Sequence, residues 1–164
     1  METTREIVEQ LLGDVLLFAE HASGLKLRRY QQPVARAVVE SVIHDRGETI
    51  VVMFPRQSGK NELQAQIETS LLTLFSQLDV EIVKVSPTWR PQALNAMRRL
   101  ERVLLNNLLV RDAWTKASGY IYQVGRALIF FLSGEPTTSV VGATASLLLQ
   151  CDEAQDVQVS KWDK

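Results

Sequence analysis

Residues 49–62 read TIVVMFPRQSGKNE, and the fold turns on how this stretch is divided. Glu48 to Phe54 predicts a buried strand: it is rich in β-branched residues and flanked by turn signals at Gly47 and Pro55. Gly59 to Gln77 predicts a helix, with Leu63, Ile67, Leu71, Leu74 and Phe75 on one face. A glycine and a lysine at such a joint match the phosphate-loop pattern G-x-x-x-x-G-K-[ST] at Gly59 and Lys60. Two positions depart from it. Phe54 stands at the first glycine, and Asn61 stands where a serine or threonine would hold a metal.

The chemistry asks for less than the full pattern. Successive backbone N–H groups must form an anion nest, and a helix must begin there with its positive end toward the phosphates. Pro55, Arg56, Gln57, Ser58 and Gly59 can supply that path, and Lys60 would reach the β and γ phosphates as a compact charge. The Asn61 amide oxygen is a hard ligand that Mg2+ or its bound water accepts. By itself the stretch is equally compatible with a plain turn carrying a surface lysine.

Residues 147–155, LLLQCDEAQ, supply a partner. Ser146 to Cys151 predicts a short strand that delivers Asp152 and Glu153 to its C-terminal tip, where ligands of open α/β sheets bind. Adjacent carboxylates repel unless a cation offsets them. With Mg2+ there, Asp152 would orient metal-bound water and Glu153 would polarise an attacking water. Otherwise the pair is an acidic strand end entering a helix.

The remaining chain alternates helices and strands. Thr3-x-x-Glu6 is a capping-box pattern opening an amphipathic helix that runs to Ser23-Gly24. A second helix starts around Tyr30 to Pro33 and stops near Arg46-Gly47, with Val34, Ala37, Val38, Ser41 and Val42 inward. Val80 to Ser86 predicts a strand, and Pro91 to Leu109 a helix with Leu94, Met97, Leu100, Leu104 and Leu108 inward. Gly119 to Val124 and Ala127 to Leu132 flank Gly125-Arg126 as a hairpin. The expectation is an α/β fold, a mainly parallel sheet with helices on both faces and an edge hairpin.

Composition narrows the function classes. The 164 residues suit one domain, 1–164, with the helix of residues 1–24 preceding its body. A net charge of −1 excludes a polycationic nucleic-acid glue, though not a local basic groove. The single cysteine, Cys151, excludes an internal disulfide framework and reads as a small strand-end hydrophobe. His21 and His44 sit near helix ends with no third ligand for zinc. Asn95, Arg98, Arg99, Arg102 and Asn106 share one side of a helix and read as a solvated face, with a DNA-facing stripe as the alternative. No stretch has the length and apolarity of a membrane span, so no membrane partner is expected.

With both motifs in hand, the chain resembles the ATPase domain of large terminase subunits, the motors that package DNA into tailed phage heads. Pro55-Arg56-Gln57-Ser58-Gly59-Lys60-Asn61 and Cys151-Asp152-Glu153-Ala154-Gln155 carry the resemblance. Leu27-Arg28-Arg29-Tyr30-Gln31, Val85-Ser86-Pro87-Thr88 and Val141-Gly142-Ala143-Thr144 are also similar. The resemblance implies a P-loop NTPase-like fold of the RecA-like (ASCE) kind. It implies ATP and Mg2+ as cofactors, and double-stranded DNA, a small terminase subunit and a portal protein as partners. A homo-oligomer in the host cell cytoplasm is implied as well. By position, Tyr30 and Gln31 match a motif that contacts adenine, and Arg56 matches a loop arginine that touches nucleotide phosphates. The residues read above give Lys60 and Glu153 as the catalytic candidates and Asp152 with Asn61 as the candidate metal ligands, Asn61 departing from the family's hydroxyl residue.

Two departures qualify it. Val141 stands where many relatives carry an arginine finger; Arg90, Arg98, Arg99, Arg102 and Arg111 are the other candidates. The chain also ends at Lys164 without nuclease motifs, so the ATPase domain is expected to be incomplete at its C-terminus, with no nuclease activity and an exposed sheet edge or apolar face that favours self-association. Two alternatives stay open: a helicase-like DNA-dependent ATPase, and a non-catalytic nucleotide- or partner-binding module.

Overall fold

A computed structural model describes residues 1–135, 142–157 and 160. Thr3 caps helix α1 (Thr4–Gly13) through a complete capping box with Glu6. The single long helix expected to follow is interrupted. Asp14 adopts an extended conformation, and its carboxylate accepts from the amides of Leu16 and Leu17, restarting the chain as α2 (Val15–Leu17) and a wide turn over Phe18–Ala22. Gly13-Asp14 is thus a stop followed by an N-cap. Helix α3 (Gln32–Ile43) buries Ala35 and Val39 with Ser41, while Ala37 faces solvent. Helix α4 (Lys60–Leu74) begins at Gly59, whose φ of 77° no other residue type adopts cheaply. Helix α5 (Leu94–Asn106) buries Met97, Leu100 and Leu104; it ends before Leu108, which is exposed.

The sheet has five strands in the order β2-β3-β4-β1-β5. Strands β4 (Ala127–Ser133), β1 (Glu81–Ser86) and β5 (Leu148–Cys151) run parallel to one another. Strands β2 (Trp114–Ser118) and β3 (Ile121–Val124) add antiparallel. The expected hairpin forms around Gly125-Arg126, with Val124 opposite Ala127. It does not lie at the edge, because β2 pairs outside it. The sheet is therefore mixed, not mainly parallel.

The core takes its sheet residues from one face: Ile82, Tyr122, Val124, Ala127, Ile129 and Phe131, packed with residues of α2 to α5. On the opposite face Val83 is buried, Val85, Leu128, Phe130 and Leu132 are half-buried, and Leu149 is 58% exposed. Helices on both faces are not found among the described residues. A sheet with antiparallel pairings tolerates one less-covered face, which an all-parallel sheet rarely does.

The largest correction concerns residues 48–54, which form no strand. Val51 and Met53 are 82% and 90% exposed, whereas Val52 and Phe54 are half-buried. β-branched residues report fitness for a pleated, half-buried surface, and a strand exists only when a neighbour offers its backbone. Here β5 ends the hydrogen-bonded series, and this segment is not paired to it.

Candidate functional site

The loop before α4 is held from outside. Tyr30 donates its hydroxyl to the Ser58 carbonyl at 2.6 Å, and the Gln31 amide donates to the carbonyls of Ser58 and Gly59 at 3.2 Å each. Gln31 is itself fixed, accepting from the Arg28 amide at 2.9 Å, and the Tyr30 ring meets Phe54 edge-on at 5.4 Å. These are the two residues expected to contact adenine. In the structure Gln31 is 4% exposed with its donors engaged by the loop, and Tyr30 keeps 44% of its surface open. Sequence reasoning assigned neither of them to bracing the loop.

Within the loop Gln57 takes a positive φ of 58°, Pro55 and Arg56 are exposed, and Ser58 is buried with its hydroxyl unpartnered. No side chain caps α4. Its first intrahelical acceptor is the Gly59 carbonyl, bound by the Leu63 amide at 3.0 Å, and among the described residues the amides of Lys60, Asn61 and Glu62 donate to no acceptor. A fifteen-residue helix ending this way presents its positive pole to whatever occupies the loop.

Lys60 meets the acids expected of it. Its ammonium lies 3.4 Å from Asp152 Oδ1 and donates a hydrogen bond to Glu153 Oε1. Asp152 is 6% exposed, anchored by its amide to the Val85 carbonyl at 2.9 Å. Glu153 has a left-handed backbone, φ 48°, and its Oε2 accepts from the Gln155 amide at 2.6 Å. Burial works against the Lys60 charge, but the Glu153 hydrogen bond and the two carboxylates outweigh it and hold the ammonium above its ordinary pKa. Glu153 is held below the usual carboxylate range, chiefly by the Lys60 hydrogen bond, then by Gln155, with the Arg56 charge adding a little.

The structure thus brings together Lys60, Asp152 and Glu153, with Arg56 near enough to act on Glu153. Asn61 follows Lys60 in the first turn of α4, exposed and without a side-chain hydrogen bond among the described residues. Among those residues no group of three or more His, Cys, Asp or Glu side chains could hold a metal. A cage built wholly of protein is therefore absent from the described part. Mg2+ fits only in its usual manner, on one or two protein oxygens with phosphate and water completing the shell. The uncapped helix end and the Ser58 hydroxyl, unpartnered among the described residues, are donors of the kind a phosphate group accepts from.

Other candidates resolve simply. Asn95, Arg98, Arg102 and Asn106 are exposed, and Arg99 pairs with Glu62 at 3.0 Å, as a solvated face would have it. His44 caps the end of α3, and His21 lies in the turn before Ser23. Burial raises the Cys151 thiol pKa. Val141 lies outside the described residues. No described helix is long and apolar enough to cross a membrane. A buried ion pair between Lys84 and Glu68 was missed in the sequence; a charged residue inside the apolar run EIVKVS was its signal. No family model matches the chain, and neither does any curated protein or solved structure.

Proposed function

We propose that this chain is a nucleoside-triphosphate-binding domain of the P-loop, RecA-like kind, acting as the ATPase of a terminase-type DNA-packaging motor. The observation that carries it is the bonding of Lys60, first residue of an uncapped helix, to both Asp152 and Glu153 beyond the end of β5. Without a ligand, Lys60 neutralises the two acids. With ATP bound, its ammonium would exchange those carboxylates for β and γ phosphate oxygens, while the loop amides from Gln57 to Asn61 donate to the same groups. Asn61 and Asp152 would hold Mg2+, which supplies charge neutralisation on the transferred phosphoryl group. Glu153, released from Lys60, is the acceptor that would orient water for attack. Arg56 adds a forked donor at the loop.

By the resemblance in its motifs, the proposed partners are double-stranded DNA, a small terminase subunit, a portal protein and further copies of the chain, in the host cytoplasm. A second reading, a nucleotide-binding module without turnover, is favoured by the exposed Asn61, which touches neither acid among the described residues. Phosphate release with and without double-stranded DNA, beside Lys60→Ala, separates the two. DNA-stimulated release lost in Lys60→Ala supports the motor, and ATP binding without release supports the module. Absence of ATP binding in the wild type refutes both.

A further inference from the structure

Helix α4 carries Lys60 at its first residue, and its apolar face of Leu63, Ile67 and Leu71 defines its rotation only loosely, because polar residues between them are buried too. Every residue from Ala65 to Leu72 is buried, polar and apolar alike. A surface helix finds its orientation from an apolar stripe, and a helix buried all round is oriented by it less sharply. Besides those of Lys60, two ion pairs tie α4 to neighbouring elements among the described residues: Glu62 with Arg99 of α5, which solvent reaches, and a second that is fully buried. Glu68 and Lys84, 0% and 1% exposed, form an ion pair of 2.7 Å between α4 and β1, the strand flanked by β4 and β5. Lys84 is further confined by the Phe131 ring, 5.9 Å from its ammonium, and by register lies beside Gln150 of β5.

Stability does not account for this pair. Desolvating two charges offsets most of their attraction, and well-packed apolar residues commonly replace such pairs without loss. Burial raises the Glu68 pKa despite Lys84, which is the signature of that cost, and the Asp152 charge acts on Glu68 in the same direction. Geometry is what the pair supplies. Each residue of a helix advances the rotation by about 100°, so a slip of one position would turn Lys60 away from β5 altogether.

We propose that Glu68 and Lys84 are positioning residues: their ion pair sets the rotation and depth of α4 on the sheet and so holds Lys60 over Asp152 and Glu153. The consequence for nucleotide binding rests on the function proposed above; the placement of Lys60 does not. Its test is the charge-free pair Glu68→Leu with Lys84→Met, read in three ways. Thermal melting reports folding. Acetylation of Lys60 by acetic anhydride, quantified by mass spectrometry against the exposed Lys26 and Lys116, reports its pairing. Binding of ATP reports the site.

The expected result is a cooperative melt, Lys60 acetylation rising to the rate of Lys26, and ATP affinity falling by at least about tenfold, the scale on which small misplacements of binding groups are felt. Lys60 as protected as in the wild type would overturn the proposal. If the wild type binds no ATP while the paired variant still unmasks Lys60, the positioning role stands and the nucleotide reading falls. Glu68→Gln keeps the side-chain shape but leaves the Lys84 charge without its counter-charge, so partial unmasking of Lys60 is expected. A folded Glu68→Gln variant with Lys60 as protected as in the wild type overturns the proposal even if the apolar pair fails to fold.

Discussion

Gly59→Ala probes the joint between loop and helix, and its cost divides into two parts. The backbone part comes from φ of 77°, a left-handed conformation that costs an L residue about 1–2 kcal/mol. The contact part comes from Gln31. A Cβ at position 59 would lie 2.8 Å from Gln31 Nε2, closer than such contacts allow. The amide must move, and at 4% exposure it has no solvent to turn to. It would forfeit its bonds to the Ser58 and Gly59 carbonyls, each worth about 0.5–1.5 kcal/mol net. The sum is about 2–5 kcal/mol. Gly24→Ala isolates the first part, since its φ is 70° and nothing lies within 4 Å of its Cβ; about 1–2 kcal/mol is expected there. Urea unfolding of both variants, each also in a Gln31→Ala background, completes the cycle. Gly59→Ala should lose more than Gly24→Ala, and the excess should vanish when Gln31 is removed. Equal losses in the two variants, or an excess that survives Gln31→Ala, would refute the claim that Gln31 braces this loop.

Val51→Lys and Met53→Lys are expected to change stability by no more than about 0.5 kcal/mol and to reduce self-association in sedimentation, because both side chains face solvent. Losses of several kcal/mol would restore the buried strand that the sequence predicts. The Lys60–Glu153 bridge sets a pH window. Glu153 is depressed, so its contribution is present above its ordinary value of about 4.5 and lost as pH falls through the depressed one. Lys60 is raised, so its contribution is full below about 10.5 and lost as pH climbs through the raised value. The stability difference between wild type and Lys60→Met should therefore be flat across neutral pH and shrink at both extremes. Tyr122, fully buried, donates to Glu101 at 2.8 Å, and Tyr122→Phe should cost about 1 kcal/mol in thermal unfolding. Lys84→Met alone leaves Glu68 buried without its cation and should cost about 3–5 kcal/mol, far more than the charge-free pair.

Signals that act over a few residues were legible in the chain itself. Thr3 and Glu6 cap α1, Gly59 opens α4, Gly125-Arg126 turns β3 into β4, and an apolar run ends at Asp152. Each is a matter of local dihedrals, caps and spacing, which the amino acids carry with them. The meeting of Lys60 with Asp152 and Glu153 was also expected from the chain, although only the acids follow a strand; the segment before the Lys60 loop is none. Tertiary structure decided the rest. Thr49 to Phe54 has the residues of a strand and stands unpaired, because pairing needs a neighbour that no local pattern specifies. Gln31 spends its amide on two carbonyls 27 and 28 residues away, and Lys84 finds Glu68 across a layer. Such contacts exist only once the layers are stacked: a side chain's chemistry states what it can bond, and the packing of distant segments determines which partner is there.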